Sequence, residues 1–162
     1  MPRYRWISAF TLLLAAAHPA DASAQPRRWW GGFGVGVGTA GFGAALDGSL
    51  LHGEHLFRAR VSVHDNSSSI EVGLVRTSID EVGLMYGRGT HWSRGNWASA
   101  SAGLAYVTVE REGKVTETIG LPLEIQLISR KLPHLGVTGI ANLNPEAAFA
   151  GFMLSLQIGA VP

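Results

Sequence analysis

From Thr118 to Ile128 the chain alternates without a break: Ile119, Leu121, Leu123, Ile125 and Leu127 are large and aliphatic, while Thr118, Gly120, Pro122, Glu124 and Gln126 are small or polar. Successive side chains of a strand point to opposite faces, so a period of two marks a two-faced β-strand. A helix would scatter the aliphatic residues around its axis and would need an N–H that Pro122 lacks.

The same alternation recurs along the chain. Trp29 to Thr39 puts Trp29, Phe33, Val35 and Val37 opposite a row of glycines. Gly41 to Leu51 sets Phe42, Ala44, Leu46 and Leu50 against Gly43, Ala45, Asp47 and Ser49. His55 to His64 sets Phe57, Ala59, Val61 and Val63 against Arg58, Arg60, Ser62 and His64. Ser78 to Arg88 sets Val82, Leu84 and Tyr86 against Glu81, Gly83 and Met85, and Trp97 to Val109 sets four small or aliphatic residues and Tyr106 against Ser99, Ser101 and Gly103. Leu135 to Leu143 alternates less cleanly, with Ile140 on the polar side, and Ala148 to Ala160 sets Phe152, Leu154, Leu156 and Ile158 against Gly151, Ser155 and Gln157.

Turn signals separate these runs: His52-Gly53-Glu54, the polar segment 65–69, the segment 89–96 rich in Gly, Ser and Arg, 110–114 with Gly113, 130–134 with Pro133, and Asn144-Pro145-Glu146. Residues 70–77 carry no decisive pattern. The expected fold is all-β: eight antiparallel strands of about ten residues, the length a tilted strand needs to cross hydrocarbon. Pro122, mid-strand, predicts a bulge or an unpaired position.

The polarity of the two faces decides the solvent. The polar face is mostly Gly, Ser and Thr with a few charges, Asp47, Arg58, Arg60, Glu81 and Glu124, too bland for a water-facing surface. Small residues with sparse charges suit a narrow lumen filled by side chains. Leu121, Leu123, Ile125, Leu154, Leu156 and Ile158 are then expected to face lipid. Aromatic residues group toward two levels: Trp29, Trp30, Phe57, Tyr86, Trp92 and Trp97 toward one rim, and Phe42, Tyr106, Phe149 and Phe152 toward the other, as two girdles would.

Composition agrees. Of 162 residues, 21 are Gly, none is Cys and 15% are charged, against roughly 25% in soluble domains. A formal charge of +1 gives no case for nucleic acid. Residues 1–24 read as a cleaved secretory signal: Arg3 and Arg5 ahead of an apolar run over 7–17, a break at Pro19, and Ala22-Ser23-Ala24 for cleavage. The remainder, 25–162, is read as a single barrel domain, held without disulfides by a closed sheet.

In strand pattern the chain resembles the small eight-stranded outer-membrane barrels of the OmpA and OmpX type over residues 29–160. The resemblance implies an outer-membrane location, lipid as the surrounding partner, and insertion by the barrel-assembly machinery. Such barrels usually end in an aromatic residue, where this chain ends Gly159-Ala160-Val161-Pro162. The protein is expected to be a monomer with no cofactor and no metal.

Candidate chemistry is sparse. Gly36-Val37-Gly38-Thr39-Ala40-Gly41 matches G-x-G-x-x-G, but the strand alternation runs through these glycines and no helix follows. His52, Glu54 and His55 lie in a turn, where two rings need not share a face. Ser62, His64 and Glu81 share the inward face and are similar in residue type to the site of the outer-membrane lipid A deacylases. Those enzymes carry His before Ser on the lipid-facing side; here both features are reversed. The function expected is therefore a structural or surface-interacting barrel without catalysis, its lumen filled by a polar network of Asp47, Arg58, Arg60, Glu81, Glu124 and Gln126. The alternatives are a secreted lipocalin-like barrel with its aliphatic face turned inward, a deacylase-like hydrolase, and a small pore. Eight strands leave little room for an open channel.

Overall fold

The computed structural model describes residues 27–66, 77–93, 95–129, 131 and 133–162. The expected leader over 1–24, most of the segment 65–77, and positions within two of the turns lie outside the described residues.

Eight strands follow one another: β1 (Arg28–Gly38), β2 (Gly41–His52), β3 (His55–Asp65), β4 (Thr77–Ser93), β5 (Asn96–Arg111), β6 (Lys114–Ser129), β7 (His134–Leu143) and β8 (Phe149–Gly159). Each pairs antiparallel with the next, and β1 pairs with β8, so the sheet closes into an up-and-down barrel. Closure leaves no unpaired edge, which is what a sheet immersed in hydrocarbon requires. The start of β1, the end of β8 and the β2–β3, β4–β5 and β6–β7 connections lie at one end of the barrel, here the terminal end; the β1–β2, β5–β6 and β7–β8 turns lie at the other, the loop end.

The turns follow from local chemistry. Glu112 and Gly113 both have positive φ, 53° and 80°, and join Arg111 to its partner Lys114 in the two-residue form that matches strand twist. The Asn144 side-chain oxygen accepts hydrogen bonds from the amides of Glu146 (3.1 Å) and Ala147 (2.7 Å), bending the chain between β7 and β8.

Several strands run longer than their patterns suggest. The segment 89–96, read as a turn, is instead largely strand: β4 continues to Ser93 and tolerates the excess through a register shift between His91 and Ser93. Pro122 pairs with Asn142 on the β7 side. Toward β5 the ladder lapses at Leu121 and Pro122 opposite Gly103 and Leu104, then resumes in the same register at Ala105 and Gly120. Proline thus leaves an unpaired step without a bulge.

The faces divide as the alternation requires. Ile125 is 63% exposed, Leu154 68% and Ile158 71%, with Leu121, Leu123 and Leu156 beside them on the outer wall. Gly32, Gly34, Gly36 and Gly38 of β1 share the inward face, and neighbours close over them: a Cβ on Gly36 would run into the backbone of Phe152 and Met153. That absence of side chains lets β1 and β8 approach closely at the seam.

Three of the grouped aromatics do not belong to a girdle. Trp30 and Trp97 point inward and are buried, meeting edge to face with ring centroids 5.4 Å apart. Phe149 is also inside, tilted against His64 at 4.4 Å. Their even or odd positions align them with inward neighbours, Gly32 for Trp30 and Ser99 for Trp97; rim level alone misassigns them. Trp29, Phe57, Tyr86 and Trp92 remain exposed at the terminal end, and Phe42 and Phe152 toward the loop end.

Candidate functional site: the buried lumen

The interior is layered. At the terminal end, Trp30, Leu51, Leu56, Trp97 and Ile128 form one apolar cluster, against which Val161 packs. The chain end reaches this cluster by a short return: the Ala160 amide donates to the Trp29 carbonyl at 2.9 Å, and Pro162 is fully buried. Toward the loop end, Ala45, Ile79, Ala105, Val107, Val109, Ile140, Phe149 and Met153 form a second apolar cluster. Buried between these clusters lie the charges.

The core of the charged layer is a chain of four groups. Arg60 donates to Glu81 Oε1 through Nε (3.1 Å) and Nη2 (2.6 Å). Its Nη1 donates to Glu124 Oε2 at 2.8 Å. The other Glu124 oxygen is ion-paired with Arg58 Nη1. Glu124 therefore bridges two guanidinium groups, and Glu81 closes the chain at the far side. Arg60 is 1% exposed and Glu81 not at all. Charges this deep are tolerable only when paired and hydrogen-bonded on their remaining atoms.

Neutral residues supply those remaining bonds. Arg58 Nε donates to Ser49 Oγ (2.8 Å) and Nη2 to Gln126 Oε1 (2.6 Å), while Gln126 Nε2 donates to Thr138 (3.3 Å). Asn142 Nδ2 donates to Glu81 Oε2 (2.7 Å), and Asn144 in turn donates to Asn142 (3.1 Å). Asp47 lies at the margin: its carboxylate is 4.0 Å from Arg58 Nε and accepts a 3.4 Å bond from Ser49. The backbone register places Asp47 opposite Arg60, yet the side-chain contact is with Arg58. The six residues expected in a lumen network all lie inside the barrel, with Asp47 the least engaged. Ser49, Thr138 and Asn142 join them; their positions on the inward face were legible, but their partners, on strands distant in sequence, were not.

Glycine provides room for these side chains. A Cβ on Gly32 would overlap the Asp47 carboxylate and the Gln157 amide, and one on Gly120 would overlap the Asn142 amide.

Ser62, His64 and Glu81 do not form a catalytic arrangement. Ser62 and His64 sit two residues apart on β3, both buried, and neither Ser62 Oγ nor His64 Nε2 has a hydrogen-bond partner among the described residues. Glu81 lies opposite Ser62 in register, but its two oxygens are committed to Arg60 and Asn142. A triad needs a base hydrogen-bonded to its nucleophile and an acid orienting the base. The His64 ring instead lies over Gly43 and against Phe149.

The other candidates resolve similarly. Gly36 and Gly38 belong to β1 and Gly41 opens β2, so G-x-G-x-x-G spans a hairpin. His52 and His55 pair across the β2–β3 hairpin, and His55 Nδ1 is 2.6 Å from the Tyr86 hydroxyl. Among the described residues no group of three His, Asp or Glu side chains is placed to hold a metal.

A closed eight-stranded barrel with aliphatic residues outside and charges inside is the architecture of a small transmembrane barrel. Solved structures of that kind match it. Neisserial surface protein A superposes with a TM-score of 0.56 at 8% identity, over 82% of this chain and 94% of that one. Ail, the attachment invasion locus protein of Yersinia pestis, gives 0.51 at 9%, over 82% and 97%. A de novo designed transmembrane β-barrel gives 0.51 at 13%, over 85% of this chain and the whole of that one. No family model and no curated protein matches the sequence. At these identities the likeness is one of fold, and the fold is the small outer-membrane barrel type that the strand pattern resembles.

Proposed function

We propose that the protein is an outer-membrane barrel of structural or surface-interacting type, without catalysis, whose lumen is closed by its own side chains. The observation that carries this reading is the inversion of polarity: the outer wall is aliphatic while Arg58, Arg60, Glu81 and Glu124 are buried within. A water-soluble barrel would gain nothing from that arrangement, and a lipocalin-like interior needs the aliphatic face inward, opposite to the orientation found. Two apolar clusters above and below the charged layer argue against a water column. The committed oxygens of Glu81 and the burial of Ser62 argue against a hydrolase.

In this reading the terminal end faces the periplasm, outer-membrane lipid covers the wall, the barrel-assembly machinery inserts the chain, and the barrel acts as a monomer. The test is Leu154→Arg, at the middle of β8 on the outer wall. In lipid the charge should cost about 2–4 kcal/mol of folding stability in vesicles. A soluble barrel would lose less than about 0.5 kcal/mol at so exposed a position, and that result would refute the reading.

A further inference from the structure

The charges outside the lumen are not evenly spread. Among the described residues, the side chains at the terminal end include Arg27, Arg28, Arg88 and Lys131 with one acidic side chain, Glu54, which lies 3.6 Å from Arg88. The loop end carries Asp65, Asp80, Glu110, Glu112, Glu117 and Glu146 with two cations, Arg111 and Lys114. Among the described residues the barrel is thus basic at the terminal end and acidic at the opposite rim. His52, His55, His91 and His134 add further imidazoles at the basic end.

The same end bears an apolar groove of about 260 Å³ on the outer wall. Leu127, Leu135, Val137 and Leu154 line it, and Trp92, 62% exposed at the end of β4, reaches over it from the β4–β5 hairpin. At its terminal margin lies Ser129, whose hydroxyl accepts the Lys131 amide at 3.3 Å and whose carbonyl is 3.3 Å from His134 Nδ1. An apolar trough on the outer wall, flanked by an indole and followed, two residues beyond Ser129, by a lysine in the adjoining turn, has the polarity sequence of a phospholipid: chain, interface, phosphate. Indole rings favour the headgroup level, and cations there attract anionic lipid.

We infer that this groove is a binding site for one anionic glycerophospholipid, with an acyl chain along Leu127, Leu135, Val137 and Leu154, the glycerol level beneath Trp92, and the phosphate at Lys131. The inference rests on the membrane-embedded reading above and adds to it a ligand class and a site. Charge selects the headgroup: with four basic side chains and a single acidic one described at this end, an anionic lipid is favoured over a zwitterionic one.

The full barrel, refolded into phosphatidylcholine vesicles, tests this when phosphatidylglycerol is titrated in and retained lipid is counted by native mass spectrometry after extraction. One phosphatidylglycerol should remain in preference to phosphatidylcholine. Lys131→Gln should weaken that preference about fivefold, the effect expected of one cation at a membrane surface. Lys114→Gln, at the opposite end, should leave it unchanged, and Val137→Trp, which fills the trough, should abolish retention of either lipid. Equal effects of Lys131→Gln and Lys114→Gln would overturn the site, as would displacement of the lipid by inorganic phosphate. Insertion without any preference for phosphatidylglycerol would overturn this inference alone, whereas failure to insert at all would overturn the membrane reading with it.

Discussion

Arg60 and Glu124 join strands β3 and β6 directly across the barrel: 64 residues apart in sequence, they meet through a 2.8 Å hydrogen bond between Nη1 and Oε2. Neither strand touches the other in the sheet, where β4 and β5 intervene. One side-chain pair therefore spans the lumen, and the interior at that level is occupied by the pair itself.

Glu124 is the carboxylate on which two guanidinium groups depend, so Glu124→Leu should destabilise the barrel by about 3–5 kcal/mol, leaving Arg58 and Arg60 undercompensated. Asp47→Asn, at the margin of the network and 4.0 Å from Arg58, should cost less than about 1 kcal/mol. The double variant Arg58→Met/Glu124→Leu should recover part of the loss. Urea unfolding in detergent micelles ranks the three; equal stabilities for Glu124→Leu and Asp47→Asn would contradict the bridging role.

The four tryptophans among the described residues should divide by solvent. Trp30 and Trp97, buried against each other, should emit at short wavelength and resist both acrylamide and brominated lipid. Trp29 and Trp92, exposed on the outer wall, should be quenched by brominated lipid. Single replacement of each by Phe assigns the signals, and strong lipid quenching lost with Trp97→Phe would mean that this residue faces outward.

Gly89 lies under the Trp97 ring, where an added Cβ would overlap the indole. Gly89→Ala should displace the ring, open the terminal apolar cluster and lower stability by about 1–3 kcal/mol, the usual range for overpacking. The accompanying red shift of tryptophan emission separates this cause from a general loss of strand pairing; unchanged emission with unchanged stability would place the indole elsewhere.

Reconstituted in a planar bilayer, the wild-type barrel should pass no steady ionic current if its lumen is closed as proposed by the buried polar network and the two apolar clusters. A stable single-channel conductance would show a continuous water path. Outer-membrane lipid should likewise keep its acyl chains when the protein is overproduced, and acyl loss abolished by His64→Ala would assign catalysis to β3.

Strand positions and faces were legible in the sequence because alternation is local: a side chain two residues along returns to the same side, whatever the rest of the chain does. Thr118 to Ile128 announced a strand with one aliphatic face, and Arg58, Arg60, Glu81 and Glu124 could be assigned inward by parity alone. The lengths of β4 and β6 were not legible, because polar residues at the barrel rims weaken the alternation while cross-strand pairing still holds the backbone extended. Nor did rim level identify Trp30, Trp97 and Phe149 as interior packing; there parity was the better guide.

Partnership inside the barrel was settled only by tertiary structure. The hairpin register set Asp47 opposite Arg60, yet long side chains reach past their nearest neighbours: Arg60 takes its carboxylates from β4 and β6, and Asp47 lies nearest Arg58. Which inward groups meet depends on strand stagger, bore width and the glycines that make room, quantities fixed by closure of all eight strands and by no segment alone. The sequence determined which residues face the lumen; closure of the barrel decided which of them touch.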